Sequence, residues 1–422
     1  MPPKPTIAGR ADFPRGGASW EEIEAAMDEM AKDDIDWSGG RTPLYVFHAT
    51  ADAYEIGKRG FMKFFSENAL GGKRAFFGLK QMEDELIDFG LSLFNAPEGA
   101  GGILSTGGSE SIILAVKAAR DFTRGKHPQD KPHNIVTAYS AHPAFNKAGG
   151  LMDIEIRRAK MRPDQRADCA AMEALIDEQT IMLVGSAPCF PHGVVDAIVE
   201  LSALSMRRDI WLHVDACVGG YIIPFLQAAG RSVPAFDFNH SGVRSISADL
   251  HKFGFCPKPV STLFLRHADD LERVTFKFED WPNGLFTTAT LAGTRSGGAV
   301  AGSWAVLNHL GVSGYTAIAK RLGEMTDKYV RGIEAIDGLY MLARPDATII
   351  NFGARELDIF SVAEQFSEHG WLPGLTKNPK GMHAMMSMLH KPVREQYLED
   401  LEAAVNQVRG DNKNASELEA VY

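Results

Sequence analysis

Ser245-Ile246-Ser247-Ala248-Asp249-Leu250-His251-Lys252 is a short strand-like run that ends in a histidine followed by a lysine. Upstream, Trp211-Leu212-His213-Val214-Asp215-Ala216 reads as an apolar strand that presents an aspartate at its C-terminal end. One lysine and one aspartate displayed in this way are what pyridoxal 5′-phosphate (PLP) needs. The amine forms a Schiff base with the aldehyde. The carboxylate keeps the pyridinium nitrogen protonated, so the ring acts as an electron sink. Either residue alone reads more simply as a surface lysine or a strand-end carboxylate. The two together, with the motifs below, point to the cofactor.

Outward from this pair the chain alternates strands and helices. Gly102–Ser105, Asn134–Ala138, Ile154–Arg157, Ile181–Ser186, Trp211–Val214, Ser245–Ser247 and Ser261–Leu265 read as strands. Segments such as Glu110–Thr123, Met172–Glu178 and Val195–Arg207 read as helices between them. This alternation predicts an α/β fold with a mainly parallel sheet covered by helices on both faces. Sites in such sheets lie beyond the strand C-termini, where Ser105, Asp215 and Lys252 all fall.

The 422 residues are too many for one ordinary core. The pattern divides them into an N-terminal arm and helix over 1–55, a large domain over 56–310 and a smaller α+β domain over 311–422. Ser19-Trp20-Glu21-Glu22 reads as a capped helix start after a Pro- and Gly-rich arm over 1–19. Further helices are expected over Trp20–Lys32, Tyr54–Phe65, Leu79–Phe94, Tyr315–Ala335, Asp358–His369 and Pro392–Val408. Strands are expected at Met341–Ala343, Thr348–Phe352 and Gly381–Met388, and a frayed polar tail from about 410.

Apolar residues make up 45% and charged residues 23%, as in soluble globular proteins. The net charge of −10 argues against nucleic acid or an anionic membrane as the main partner, while leaving room for an anionic small substrate in a local pocket. Cys169, Cys189, Cys217 and Cys256 lack metal-ligand spacing and read as reduced thiols in a cytoplasmic compartment, with no metal site expected. Met1-Pro2-Pro3-Lys4-Pro5 has no apolar core of a signal peptide, and no run of about 18 apolar residues suggests a membrane span.

Four motifs surround the lysine and aspartate. In Leu104-Ser105-Thr106-Gly107-Gly108-Ser109-Glu110-Ser111, a strand ends, glycines allow close backbone approach and a helix begins. The arrangement suits an anion such as the cofactor phosphate, although alone it reads as a capped turn. Tyr139-Ser140-Ala141-His142 puts a histidine past a strand, where it could stack on a pyridine ring. Val184–Gly193 places His192 in a loop fixed by Gly and Pro, as an acid/base candidate or a solvated loop residue. Ala292–Gly298 is a Gly-rich turn before an apolar helix. Its Arg295 suits either a carboxylate or phosphate, or a structural ion pair.

The strings Ser105–Ser111, Val184–Asp196, His213–Gly220, Pro234–Lys252 and Ala292–Gly298 resemble the sphingosine-1-phosphate lyase family, within the group II decarboxylase superfamily of fold-type I PLP enzymes. Pro191-His192-Gly193-Val194-Val195-Asp196 and Phe236-Asp237-Phe238 favour that branch over amino-acid decarboxylases. The resemblance implies a mainly parallel seven-stranded sheet in a large domain. It implies that Lys252 carries PLP, that Asp215 pairs with the ring nitrogen and that His142 stacks on the ring. Gly108, Ser109 and His251 would bind the phosphate, with Thr294 and Gly297 supplied by the second subunit of a homodimer. Tyr45, Asn68 and His192 fall near the substrate side, and His142, His192, Tyr45 and a cofactor phosphate oxygen are the candidates for catalytic base. The implied reaction is retro-aldol cleavage of a β-hydroxy amine, phosphorylated if the substrate is the family's, to an aldehyde and an amine such as phosphoethanolamine. The alternative is decarboxylation of an amino acid, with Arg295 as carboxylate anchor. The chain departs from the family at Phe286 (a tyrosine there), Asn68-Ala69-Leu70-Gly71 (a histidine lost), Lys258-Pro259 and Thr288-Ala289-Thr290, all on the substrate side.

Overall fold

The structure is a computed structural model and describes residues 13–124, 132–411, 416 and 418–420. Most of the expected N-terminal arm (1–12) and part of the expected tail lie outside the described residues.

Seven strands form the main sheet: β1 (Gly101–Ser105), β2 (Asn134–Ala138), β3 (Glu155–Ala159), β4 (Thr180–Ser186), β5 (Trp211–Asp215), β6 (Val243–Ala248) and β7 (Ser261–Leu265). Their order is β1-β7-β6-β5-β4-β2-β3. Only β7 runs antiparallel, against both β6 and β1; β6, β5, β4, β2 and β3 pair in parallel. Strands β2, β4, β5 and β7 are buried along their whole length. That burial explains their continuous apolar reading, since helices cover both faces. All seven predicted strands are present, with ends that move by a few residues.

A hairpin of β8 (Phe276–Phe278) and β9 (Phe286–Thr288) projects from the large unit. The C-terminal part holds an antiparallel sheet of β10 (Leu339–Met341), β11 (Ile349–Ala354), β12 (Gly374–Lys377) and β13 (Lys380–Met385), in the order β10-β11-β13-β12. The hairpin and β12 were not expected. Both are short; the hairpin strands are largely exposed and β12 is a partly exposed edge strand, so neither carries much apolar signal.

One helix, Gly297–Ala335, joins the two parts. It begins well before the expected Tyr315 and kinks at Gly311, whose φ of 54° and ψ of −177° are non-helical. Its first half packs on the helix Ala51–Lys63 through glycines: a Cβ on Gly60 would sit 2.9 Å from Gly302 Cα. At the N-terminus, Ser19 and Glu22 form the expected capping box on the helix Trp20–Ala31. That helix buries none of its residues.

Candidate active site

Strands β1, β4 and β5 end on one side of the sheet, and the loop Asp249–Val260 between β6 and β7 lines the same side. A cavity of about 410 Å³ lies there. It brings together Gly108, Ser109, His142, Asp215, His251 and Lys252. Residues separated by more than a hundred positions meet because a parallel sheet sends every strand end to the same edge.

Lys252 Nζ lies 3.0 Å from Asp249 Oδ2, and His251 Nε2 lies 3.8 Å from the same oxygen. Burial alone would lower the Lys252 pKa. Asp249, Cys217 and Asp215 together outweigh it and hold the ammonium above the usual lysine value. Burial would raise the Asp249 carboxyl; Lys252, His251 and the Ser261 hydroxyl together overcome it and leave the group below its usual value. Asp215 Oδ1 accepts from the Cys217 N–H at 3.1 Å and from the Ser247 hydroxyl at 3.4 Å. His142 Nδ1 accepts from the Ala144 N–H at 3.1 Å, so the neutral ring carries its hydrogen on Nε2. Burial pushes the His142 pKa down and favours that neutral form.

The helix Gly108–Thr123 starts at the cavity with Gly107 as its cap and no side chain on its first N–H groups. Those donors are free for an anion. A Cβ on Gly108 would lie 2.8 Å from both Asp249 Oδ2 and Cys217 Sγ, so only glycine lets the helix come this close. His251 is held from behind, with Nδ1 2.6 Å from the Val260 carbonyl. An uncapped helix start, a cradle that a side chain would fill, a partly buried lysine and a strand-end carboxylate fit PLP. Gly108, Ser109 and His251 could take its phosphate, Lys252 its aldehyde and Asp215 its ring nitrogen.

Tyr45 and His192 line a second cavity of about 370 Å³, which shares His142 and Phe190 with the first. His192 is buried, its Nδ1 has no hydrogen-bond partner among the described residues, and burial lowers its pKa to about 4. His383 of β13 lines the same chamber, so the small sheet closes it.

Thr294 and Gly297 line neither cavity. Thr294 accepts from Asn68 Nδ2 at 3.1 Å, and Gly297 lets the helix start approach Glu67, whose carbonyl would lie 2.5 Å from a Cβ. Asn68 and Arg295 line a separate cavity of about 910 Å³. Arg295 is committed there to Glu83 at 2.5 Å, which is the structural ion pair, so it is no carboxylate anchor beside Lys252.

Three functional candidates escaped the sequence reading. Asp249 stood in the quoted string but was given no role. Lys258 lines the Lys252 cavity, donates to the Tyr45 carbonyl at 2.6 Å, and has its pKa lowered by burial and by the neighbouring Lys252 charge. Glu110 accepts from both the N–H and the hydroxyl of Thr106 at 2.6 Å, and from the Leu291 N–H at 2.7 Å. It thereby ties the phosphate loop to the segment leading to Thr294. Lys258 enters the sequence analysis only beside Pro259, as a departure from the family on the substrate side, with no role of its own.

Comparison with known proteins agrees with this geometry. Residues 79–355 match the pyridoxal-dependent decarboxylase conserved domain. Sphingosine-1-phosphate lyase of Oryza sativa subsp. japonica is 34% identical over 409 residues, covering 95% of this chain and 75% of that one. The solved structure of a Burkholderia pseudomallei sphingosine-1-phosphate lyase superposes with a TM-score of 0.90 at 33% identity, covering 96% of this chain and 95% of that chain. A probable L-aspartate decarboxylase of Pyrococcus furiosus is 33% identical over 359 residues, 85% of this chain and 94% of its own. With Lys252, Asp215 and an anion cradle assembled on a fold-type I sheet, the chain is a PLP-dependent lyase and belongs to the sphingosine-1-phosphate lyase family.

Proposed function

We propose that this lyase cleaves the carbon–carbon bond of a phosphorylated β-hydroxy amine, releasing an aldehyde and an amine such as phosphoethanolamine. The observation that carries the reading is Lys258. It sets a second cation beside Lys252 in the cavity and suits an anionic end on the substrate. The rival reading, amino-acid decarboxylation, needs a cation for an α-carboxylate. Arg295 is paired with Glu83 outside the cavity, and among the described residues no arginine lines the Lys252 cavity.

When bound, PLP supplies an aldehyde that condenses with amines and a ring that takes up an electron pair. The chain's own residues do the rest. Lys252 carries the cofactor and yields it to the substrate amine. A base takes the hydroxyl proton as the carbon–carbon bond breaks: the hydroxyl carbon leaves as aldehyde, and the amine-bearing carbon is then protonated. Neutral His142 lines both cavities and presents its Nε2–H there, its Nδ1 lone pair being taken by the Ala144 N–H, so the base falls to His192, whose Nδ1 has no hydrogen-bond partner among the described residues, or to Tyr45. His192 and Tyr45 face the chamber that would take the rest of the substrate. The low His192 pKa of about 4 keeps that ring an acceptor at neutral pH.

A homodimer with shared sites is part of the proposal. Thr294 and Gly297 do not reach their own chain's cradle. The helix Trp20–Ala31 and the β8–β9 hairpin leave Trp20, Met30, Phe276 and Trp281 exposed, as surface suited to a second copy. A cytoplasmic location is proposed from the four free thiols; among the described residues no helix is long and apolar enough to cross a membrane.

The deciding experiment is product analysis by mass spectrometry of PLP-loaded protein offered sphingoid-base phosphates and, separately, an amino-acid panel. An aldehyde with phosphoethanolamine is expected. Carbon dioxide and an amine from an amino acid would replace this reading with the decarboxylase.

A further inference from the structure

Beneath the Lys252 cavity runs a line of buried polar side chains that the proposed chemistry leaves unused. Strand residues alternate between faces, so Trp211, His213 and Asp215 share one face of β5. Ser245 and Ser247 share the matching face of β6, with His213 opposite Ser245 and Asp215 opposite Ser247. Trp211 Nε1 is 2.7 Å from Ser245 Oγ, and His213 Nδ1 is 2.8 Å from the same oxygen. His213 Nε2 is 3.1 Å from Ser247 Oγ, which is 3.4 Å from Asp215 Oδ1. Cys217 Sγ is 3.3 Å from Ser247 Oγ. His213, Ser245 and Ser247 have no exposed surface.

The two ends of the line set the direction of every hydrogen in it. An indole N–H only donates and a carboxylate only accepts. Ser245 therefore accepts from Trp211 and gives its one O–H to His213 Nδ1. His213 is neutral, because burial lowers its pKa to about 4, so its hydrogen sits on Nε2 and goes to Ser247. Ser247 accepts from His213 and from the Cys217 thiol, which burial keeps protonated. Both lone pairs of Ser247 are then occupied, and its own O–H turns to Asp215. In the other tautomer Ser245 would accept from both Trp211 and His213 and its own buried O–H would be left without an acceptor, while the Ser247 hydroxyl would be drawn to Nε2, away from Asp215.

We propose that His213 is a positioning residue for the cofactor: its tautomer, fixed from Trp211, turns the Ser247 hydroxyl onto Asp215 Oδ1 and leaves the other carboxylate oxygen for the ring nitrogen. The inference rests on reading Asp215 as the ring-nitrogen partner. Asp215 is also faced by His142 and Lys252 from the cavity and by Cys217 beside it, and all three are retained in every variant below.

The test is the pH midpoint of the visible absorbance of PLP-loaded full-length protein, together with the cofactor dissociation constant. A protonated ring nitrogen repels a second proton on the conjugated Lys252 nitrogen, so weakening the first raises the midpoint of the second. Asp215→Asn is expected to raise it by about one unit. Ser247→Ala and His213→Asn should move it the same way and weaken cofactor binding about tenfold. His213→Gln, whose amide can reach Ser247 from the place of Nε2, should stay close to wild type. Trp211→Phe should give a smaller shift of the same sign. If Asp215→Asn moves the midpoint while Ser247→Ala and His213→Asn leave it in place, the inference is overturned and the Asp215 reading stands. If Asp215→Asn itself has no effect, that reading falls, and the inference with it. A His213→Gln protein that shifts as far as His213→Asn assigns the effect to packing and overturns the tautomer role. Should His213→Asn fail to fold, Ser247→Ala, which loses one oxygen, decides alone.

Discussion

At Gly108 a side chain and the cofactor phosphate would compete for one space. A Cβ there would lie 2.8 Å from Asp249 Oδ2 and Cys217 Sγ, and neither can retreat because both are buried. Gly108→Ala is expected to weaken PLP binding at least tenfold, about 1.4 kcal/mol, in a titration of apoprotein. Lys252→Ala should abolish the visible absorbance of the bound cofactor; a variant that keeps it would remove Lys252 from the site. Lys252, Asp215, His142 and the Gly108–Ser109 cradle were legible in the sequence because each stands just past a strand or opens a helix. Asp249, Lys258 and Glu110 were not. Their weight comes from partners that the sheet brings in from far along the chain, such as Leu291 for Glu110.

At the scale of elements, Gly311 lets one helix serve two parts of the molecule. Its φ of 54° with ψ of −177° is open almost only to glycine. No atom lies within 4 Å of a Cβ there, so backbone strain alone resists a side chain. Gly311→Ala is expected to cost about 1–3 kcal/mol, read from urea denaturation. The same turn explains the shortened sequence reading of this helix. Gly311 interrupts the periodicity, and the small residues Gly297–Ser303 pack on a neighbouring helix without a bulky stripe to announce it. The main-sheet strands were easy to read for the opposite reason: long apolar runs between glycines and helix caps leave few alternatives. The β8–β9 hairpin and β12 lack such runs, and only tertiary pairing makes them strands.

At the scale of the whole molecule, the loop bearing His192 is clamped between the two parts. Asp346 pairs with Arg166 at 2.6 and 3.1 Å and accepts from the Val195 N–H at 2.7 Å, while its own N–H donates to the Gly193 carbonyl at 3.0 Å. Asp346→Ala leaves the half-buried Arg166 with the more exposed Asp164 as its remaining carboxylate partner. It should cost about 2 kcal/mol in denaturation and raise KM more than it lowers kcat, since His192 faces the substrate chamber.

Acid should loosen the same architecture. His192, His213 and His383 are each lowered by burial to about 4. The unfolded chain, titrating near 6.5, binds more protons between those values, so stability is full above about 6.5 and falls toward 4. Asp196, raised by burial to about 6, acts oppositely and gains a proton in the folded state over the same range. Three histidines at about 2 kcal/mol each by pH 5 outweigh one carboxyl at about 1. The urea midpoint is therefore expected to drop between pH 7 and pH 5; an unchanged midpoint would place these rings in contact with solvent.

The pairing of β1 with β7 has a consequence in time. Gly101 lies opposite Leu265, so the first strand of the sheet finds its place only when the last is available. Such distant closures form late. Gly108 follows β1 directly and Lys252 precedes β7, so the two halves of the cofactor cradle meet in that same closing event. A refolding chain should regain helical ellipticity before it captures PLP, and a nascent chain should remain unable to hold the cofactor until β7 has left the ribosome.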